Sequence, residues 1–187
     1  MKKKILKGLK RLVLFPVTAN TADTYTVGEK VNIPGAQTLT LEPDTTDWKV
    51  FADDEVYEAG TDWNGMNMTL QLAELPLELK PHFEGGEYDE TEKTYEYKSS
   101  SVAPEIGIGF AALTSDGEYR MKKIFALRCG RVTVEHRSKG SGDAVSPVSI
   151  TGIVTSRLKD GVVTVEKDSA DGALTWLDTL VASESEG

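Results

Sequence analysis

The sequence predicts a mainly β protein, a sandwich or barrel of strands with a short flanking helix. Apolar and polar residues alternate strictly from Met66 to Leu72, which is typical of a strand with one buried and one wet face. Asp116-Gly117 separates two apolar runs, and that pattern indicates a β-hairpin. Frequent threonine and valine, together with 17 glycines, agree with a chain rich in strands and turns.

The length and the charge restrict the class of protein. The 187 residues are expected to form one domain, 1–187, with a sizeable core. The formal net charge of -9 is unevenly distributed, because residues 1–12 contain six basic side chains and no acidic one. The remaining chain therefore carries a charge of -15. A body this acidic repels nucleic-acid phosphate rather than binding it.

The single cysteine, Cys129, excludes an internal disulfide framework and a multi-cysteine zinc site. Because it lies in an apolar run, we interpret it as a small core residue. The lysine-rich start resembles the basic region of a signal peptide, but Lys7, Lys10 and Arg11 interrupt the apolar stretch that should follow. We expect no export signal, and no stretch approaches the ~20 apolar residues of a membrane span.

The N-terminal segment fits two different elements. Residues 5–13 have the spacing of a basic amphipathic helix, which would lie on a membrane surface. Leu9–Phe15 also fits a strand that ends at Pro16, and its branched apolar residues favour that interpretation. If residues Leu9–Phe15 form this strand, residues 1–8 are expected to be a flexible basic arm.

Short strands are expected on the N-terminal side of the alternating segment. They are Lys30–Ile33, Ala36–Glu42 and Trp48–Phe51. Pro43-Asp44 is expected to end the second of them. After Leu72, Pro76 is expected to open a short helix, and Pro81 limits that helix to one or two turns.

Residues 84–101 are acidic, flanked by glycine and nearly free of aliphatic side chains, so they cannot form core. A projecting loop or ragged hairpin is expected there. The strands predicted after it are Ile106–Leu113, Tyr119–Leu127, Arg131–His136, Val148–Thr155 and Val162–Glu166. Asp171 is expected to cap a last short helix, and residues 183–187 form a loose tail.

Motifs that carry chemistry are missing from the sequence. His82 and His136 lie in no metal-ligand spacing, and Gly107-Ile108-Gly109 lacks the third glycine of a dinucleotide fingerprint. Neither a Gly-x-Ser-x-Gly elbow nor a Gly-Lys-Ser/Thr phosphate loop is present. Asp53-Asp54-Glu55 lacks calcium-loop spacing and fits a solvated loop or a subunit contact. We therefore expect no enzyme activity, no cofactor and no metal.

Several stretches, taken together and in order, carry a family resemblance. They are Gly8–Leu12, Pro16–Thr18, Val31–Ala36, Leu39–Pro43, Phe51–Tyr57, Thr69–Pro76 and Ile106–Phe110. In this order the chain resembles the major tail proteins (tail tube proteins) of long-tailed bacteriophages of Gram-positive hosts. The acidic insertion at 84–101 and the segment around Trp176 match the family less well.

The resemblance implies a β-sandwich that assembles into hexameric rings, which stack into a tube as in the inner tubes of contractile injection machines. Strands from six subunits would close a barrel around the lumen through which DNA is ejected. The implied partners are other copies of this chain, a tape measure protein, and tail terminator and distal tail proteins at the ends. Phage DNA would pass without sequence-specific binding. The implied location is the virion, after synthesis in the host cytoplasm, and the family has no catalytic residues.

Two sets of site residues follow from these expectations. The polar faces of two alternating strands would line the lumen and give it a wet, uncharged or acidic wall. These residues are Thr38, Thr40, Glu42, Asn67, Thr69 and Gln71. Charged residues would make contacts between subunits or rings, where opposite charges fix the register. These are Lys2, Lys3, Lys4, Lys7, Lys10, Arg11, Asp53, Asp54, Glu55, Glu84, Glu87, Asp89, Glu90 and Glu92.

Two other functions compete with the tube. A monomeric β-sandwich binding or adhesion module, for example for carbohydrate, would need exposed aromatic side chains beside polar groups. Trp48, Trp63 and Trp176 are available for this. An enzyme would have to use the carboxylates at 53–55. Only the tube predicts rings or filaments in solution.

Overall fold

The structure, a computed structural model, describes residues 5–52, 54–136, 147–169 and 174–181. This part of the chain is mainly β, as predicted. Its strands are β1 (Leu6–Asn20), β2 (Tyr25–Val27), β3 (Val31–Asn32), β4 (Ala36–Ala52), β5 (Glu55–Leu72), β6 (Glu87–Asp89), β7 (Thr94–Glu96), β8 (Glu105–Thr114), β9 (Tyr119–Val134), β10 (Val148–Thr155) and β11 (Thr164–Ser169). A 3-10 turn at Leu77–Leu79 leads into helix α1 (Lys80–Glu84), and a second 3-10 turn spans Thr175–Asp178.

Nine strands form one antiparallel sheet in the order β2-β1-β8-β9-β10-β5-β4, with β3 beside β1 and β11 beside β9. The predicted hairpin around Asp116-Gly117 is confirmed as β8 and β9. One edge of β9 pairs with two strands in succession, β11 along Tyr119–Ile124 and β10 along Ala126–Val134. The remaining pair, β6 and β7, forms a separate small hairpin.

The sheet curls, so that strands far apart in its order face one another across a shared apolar centre, here named core 1. Its fully buried side chains include Leu14 from β1, Leu70 from β5, Ile108 from β8 and Ile150 from β10. Leu79 and Phe83, at the 3-10 turn and α1, pack against the same cluster. Core 1 is the apolar interior of the predicted sandwich, and the short helix flanks it as expected.

A second apolar centre, core 2, lies on the other face of β1, β8 and β9. Val13, Phe15, Ala111, Met121 and Phe125 from these strands meet Tyr25, Leu177 and Leu180 there. Because neighbouring residues of a strand point to opposite faces, Leu12-Val13-Leu14-Phe15 is buried on both sides. This explains why the run is continuously apolar rather than alternating.

The N-terminal strand is longer than predicted. It begins at Leu6, which pairs with Thr114, and continues through Pro16 to Asn20. Only the first five residues therefore precede β1, instead of an arm of residues 1–8, and residues 1–4 lie outside the described part. Its Arg11 guanidinium binds Asp178 at 2.7 Å and donates to the Leu174 carbonyl at 3.2 Å, which holds the C-terminal segment over core 2.

The prediction that Pro43-Asp44 ends a strand was wrong. β4 runs without interruption from Ala36 to Ala52 and absorbs the expected strand Trp48–Phe51. β4 lies at the border of the sheet, where a proline can be accommodated because one side of the strand has no neighbour to receive an N–H donor.

The helix is limited to one or two turns as predicted, since a 3-10 turn of three residues is followed by only five residues of α1, but Pro81 does not end it. Pro81 lies in the first turn of α1, where the missing N–H has no intrahelical partner to lose. It therefore starts the helix instead of ending it. Cys129 is 4% exposed in core 1, as predicted, and burial raises the pKa of its thiol to about 12.

Candidate functional site

The six residues predicted to line a lumen lie together on one face of β4 and β5. They form three cross-strand pairs, Thr38 with Gln71, Thr40 with Thr69 and Glu42 with Asn67. The Thr38 hydroxyl donates to the Gln71 side-chain oxygen at 3.0 Å. All six are exposed except Thr69, which is half-buried. The alternating leucines and methionines on the opposite face pack into or against core 1.

This polar face continues across two strands that were not assigned to it from the sequence. On β10, Ser149 and Thr151 lie beside Gln71 and Thr69, and Ile153 lies beside Asn67. On β9, the same rows continue with Thr133 and Arg128, and the backbone of Arg131 pairs with Thr151. The alternation within Val148–Thr155 was the available signal, but only the pairing register shows which strand it joins.

The charges on this surface, named the polar face, differ from the expected uncharged or acidic wall. Glu42 contributes an acid on β4, whereas Arg128 on β9 has a side chain that is 63% exposed. The nearest carboxylate oxygen to Arg128, on Glu105, is 3.7 Å away. The polar face therefore carries acidic charge toward β4 and basic charge toward β9.

The four strands that carry the polar face have open edges on both sides within the described part of the chain. β4 pairs with β5 only. On the other side, β8 pairs with β9 no further than Arg128, although β10 accompanies β9 to Val134. Unpaired strand edges offer rows of N–H and C=O groups to another chain. Both borders therefore present backbone groups without a ladder partner among the described residues.

The far half of the β4–β5 hairpin, residues 44–64, projects from the sheet as a two-stranded ribbon. β5 pairs with β10 only from Met66 to Leu72. Beyond Met66, toward the hairpin turn, β5 is paired with β4 alone, as far as Ala52–Glu55. About ten further residues per strand at roughly 3.3 Å each give an arm on the order of 30 Å long. Its exposed apolar side chains are Trp48, Val50, Phe51, Val56, Tyr57 and Trp63.

A two-stranded ribbon with both faces exposed to water is only marginally stable by itself. The exposed apolar side chains of this ribbon are typical of a surface that binds another molecule. Asp54, with φ of 64°, and Glu55 lie at its tip, while Asp53 is outside the described residues. Asp54 and Glu55 therefore lie at an exposed hairpin turn, and the subunit contact expected there stays a prediction.

The predicted contact residues of the basic segment are dispersed. Lys7 and Lys10 are exposed on β1, whereas Arg11 is engaged by Asp178 of the same chain. Lys30 reaches the same Asp178 oxygen at 2.5 Å. Lys2, Lys3 and Lys4 lie outside the described residues. Two cations hold the pKa of the Asp178 carboxyl below its usual range, chiefly through the side-chain hydrogen bonds of Lys30 and Arg11.

The acidic excursion is the ragged hairpin that its composition predicted, formed by β6 and β7. The Tyr95 hydroxyl fastens it to α1 by donating to the Gly85 carbonyl at 2.6 Å. Glu84 lies 3.3 Å from the same hydroxyl, and Glu87 lies 3.6 Å from Lys98. Asp89 accepts from the N–H groups of its own turn. Glu90 and Glu92 are exposed at that turn.

Two other kinds of site are absent from the described residues. Within 5–52, 54–136, 147–169 and 174–181, no group of three or more His, Cys, Asp or Glu side chains is arranged to hold a metal ion. No helix in this part of the chain has the length and hydropathy needed to cross a bilayer.

The tryptophans do not form one binding platform. Trp48 pairs with Gly60 and Thr45 pairs with Trp63, so the two indoles project from opposite faces of the ribbon. Trp176 lies elsewhere, against core 2. A flat carbohydrate site built from several tryptophans is therefore not assembled within this chain.

Comparisons with known proteins yield remote structural likenesses. No family model and no curated protein matches the sequence. The chain is similar to one from the baseplate of the anti-feeding prophage (AFP), at 10% identity and a TM-score of 0.46, over 90% of this chain and 97% of that one. The chain is also similar to one from the AFP tube-terminating cap, at 9% identity and a TM-score of 0.43, over 90% of this chain and 97% of that one. A third likeness is to a chain of the PVC sheath-tube complex of an extracellular contractile injection system, at 11% identity and a TM-score of 0.41. It covers 85% of this chain and 89% of that one.

These names concern a prophage and a contractile injection system rather than the long-tailed phages that the sequence resembles. Likenesses at these identities and TM-scores show neither a family nor a function for this chain.

Proposed function

We propose that this protein is a structural subunit of a phage-type tail tube and has no catalytic activity. Copies would join edge to edge into hexameric rings, and stacked rings would form a conduit for DNA. The polar face of β4, β5, β10 and β9 would be the wall of that conduit. The observation that supports this most is the polar face itself, a broad wet surface backed by core 1.

The open borders of the sheet supply a route to a closed ring. The free edge of β4 in one copy would pair with the free edge of β9 after Arg128 in the next. Such a contact joins two different surfaces, and it closes into a ring when the rotation between copies allows. Closure would also remove the unpaired edges that otherwise promote aggregation. The acidic β4 side and the basic β9 side would meet at this contact.

The chemistry of the wall suits passage rather than binding. On β4, β5 and β10 the threonine, serine, asparagine and glutamine side chains present hydrogen-bonding groups without a fixed positive charge for phosphate to bind. The exposed Arg128 on β9 lies toward the border where copies would meet. The body charge of -15 outside the first twelve residues works in the same direction. Phage DNA is thus a transient occupant, while the lasting partners are other copies and the proteins that close the tube ends.

Assembly state is the direct test of the tube. Purified protein should elute as rings or larger species in size-exclusion chromatography, and negative-stain microscopy should show annular or tubular particles with a central opening. Monomers at all concentrations, from micromolar to millimolar, would contradict the proposal.

A further inference from the structure

A cavity of about 680 Å³ opens beside core 2, on the part of the sheet away from the polar face. Its wall combines basic and aromatic side chains: Lys123, Arg157, Lys159, Tyr25, Phe125 and Trp176. Asp160 is the one acid among the described residues that line it. The wall of the proposed tube does not involve this cavity. The tube therefore does not explain why the cavity is lined by basic and aromatic side chains.

Lys123 is the most unusual of these residues. It is 2% exposed, and its ammonium lies 4.1 Å from the centre of the Trp176 ring. It forms no ion pair with any described residue, and burial, with Lys167 nearby, lowers its pKa to about 8. A buried cation is favourable only when a partner offsets its desolvation, and one indole face offsets a small part of it.

The same cavity holds a second cation on an aromatic surface. The Arg157 guanidinium lies 4.4 Å from the centre of the Phe125 ring and 5.4 Å from that of Tyr25. Asp160 binds this guanidinium in a bidentate pair, and the pair holds Arg157 in place. The Tyr25 hydroxyl, which donates to the Phe125 carbonyl, fixes that ring in turn. The cavity therefore presents fixed aromatic faces and an excess of positive charge.

An occupant that suits these walls carries both carboxylates and large apolar side chains. The tip of the ribbon, residues 51–57, has both. Phe51 and Tyr57 are 66% and 77% exposed, and Asp54 and Glu55 form no ion pair with any described residue. The other acidic segment fits less well, because Glu87 and Glu96 already lie near Lys98.

The length of the ribbon decides whose tip can enter. It projects on the order of 30 Å beyond its last pairing with β10, and its tip side chains remain exposed in the single chain. A partner for the tip must therefore come from another molecule. Because the tip and the cavity are different surfaces, their contact is heterologous and can repeat without closing, as stacking of subunits requires.

We propose that the acidic, aromatic ribbon tip of one copy docks into the cavity of Lys123, Arg157 and Trp176 on another copy. The contact deepens the proposed tube and rests on it, since it supplies a specific connection between subunits. Docking places carboxylates near the Lys123 ammonium and buries the exposed aromatic side chains of the tip.

Cysteine cross-linking in assembled particles tests this pairing. Val56→Cys places a thiol on the tip, and Val165→Cys places one at the cavity, where Val165 is 40% exposed. Equimolar co-assembly of the two variants, followed by oxidation, should give a disulfide dimer on a non-reducing gel. Ile153→Cys, 56% exposed on the polar face, replaces Val165→Cys in the control mixture and should give none. Cys129 is buried and remains in all samples.

The outcomes separate the docking from the tube. Particles without the Val56–Val165 link, or with an equally strong link to Ile153→Cys, overturn the docking and leave the tube intact. A protein that never assembles overturns both. Charge variants provide a second readout: Asp54→Lys/Glu55→Lys and Lys123→Met should each raise the concentration needed for assembly about tenfold. Glu74→Lys/Glu78→Lys, an equal charge change at exposed positions beside the first 3-10 turn, should leave it unchanged, and equal effects of both lysine pairs would contradict the docking.

Discussion

At Gly152 two strands of the sheet that carries the polar face approach each other closely. A Cβ atom there would lie 2.8 Å from the Arg128 carbonyl oxygen and 3.1 Å from the Cys129 Cα. The register between β10 and β9 shifts at this point, between Thr151 and Gly152. A glycine inside a strand often marks such a site, because any side chain would push the two strands apart.

Gly152→Ala is therefore expected to lower the free energy of unfolding by about 1–3 kcal/mol through overpacking against backbone atoms that cannot rotate away. Urea denaturation followed by circular dichroism measures the change. Gly8→Ala is the matched control, since a Cβ at Gly8 meets nothing within 4 Å. Equal midpoints for the two variants would show that the sheet relaxes without cost at Gly152.

Lys123 gives stability a pH dependence of known sign. Its pKa is about 8 in the folded chain and 10.5 as the ordinary value. Between those values the unfolded chain binds more protons than the folded one, so the free energy of unfolding rises with pH. The penalty for burying the charge is fully present below pH 8 and is relieved toward pH 10.5.

Relative to Lys123→Met, the wild type should gain on the order of 2 kcal/mol between pH 7.5 and pH 10.5. Denaturant titrations of both proteins at the two pH values isolate this residue from other groups that titrate there. Lys123→Arg stays charged across the range and should show no such gain. A wild-type difference that does not change with pH would mean that the ammonium is solvated in the fold.

At the scale of elements, the stability of a short hairpin depends on the contacts that hold it to the rest of the fold. The β6–β7 hairpin has three residues per strand and little apolar side-chain area, so its order rests on the contacts of Tyr95. Lys80 adds a cation 5.3 Å from the centre of the Tyr95 ring. The ribbon contrasts with it, because a long ladder from Pro43–Met66 to Ala52–Glu55 supports its backbone, with register shifts at Asp44/Thr45 and Val50/Phe51.

Tyr95→Phe is expected to speed cleavage of residues 87–98 in the free monomer by about fivefold, since one lost hydrogen bond raises the open population by roughly that factor. A Glu-specific protease and mass spectrometry report the rate. Tyr88→Phe is the control, because Tyr88 pairs with Tyr95 in the ladder but makes no side-chain hydrogen bond among the described residues. Global stability should be the same in both variants.

The same segment should resist the protease once particles have assembled, because an ordered neighbour covers it. Cleavage of the wild type is compared in free and assembled fractions of one preparation. The turn after Asp116 is exposed in the chain and serves as an internal reference for protease access. Equal cleavage of 87–98 in the two fractions would place the hairpin away from all contacts between subunits.

At the scale of the whole molecule, function depends on what the polar face meets when copies assemble. Thr69→Lys/Gln71→Lys adds two positive charges per subunit to exposed or half-buried positions, which strands tolerate. Repeated around a ring, these charges would form a basic belt facing a duplex that carries a charge about every 1.7 Å. Tubes should assemble normally but pass DNA slowly, most of all at low salt.

Genome delivery from particles built with this variant, measured at two salt concentrations, checks the expectation. Thr18→Lys/Thr26→Lys is a matched control, because these two exposed threonines form a hydrogen-bonded pair at 2.7 Å on β1 and β2. It adds the same charge away from the polar face and should not slow delivery. Ordinary delivery by the Thr69 and Gln71 variant would mean that the polar face does not line the conduit.

Much of this protein's secondary structure could be predicted from local sequence. The alternation in Met66–Leu72, the turn at Asp116-Gly117 and the polar composition of residues 84–101 each specify a local conformation, because side-chain period and turn chemistry act over a few residues. They determined the β class, the central hairpin and the exposed excursion. The shared orientation of Thr38, Thr40 and Glu42 also followed from the period of two.

Only the tertiary structure decided which strands become neighbours. Pro43 remains inside a strand because β4 lies at a border, and Ser149 and Thr151 join the polar face because β10 pairs with β5. Lys123 meets Trp176 across 53 residues of chain, so no local pattern could place them together. Pairing and cavity formation depend on the burial of surfaces distant in sequence, and that free energy is absent from any short window of residues.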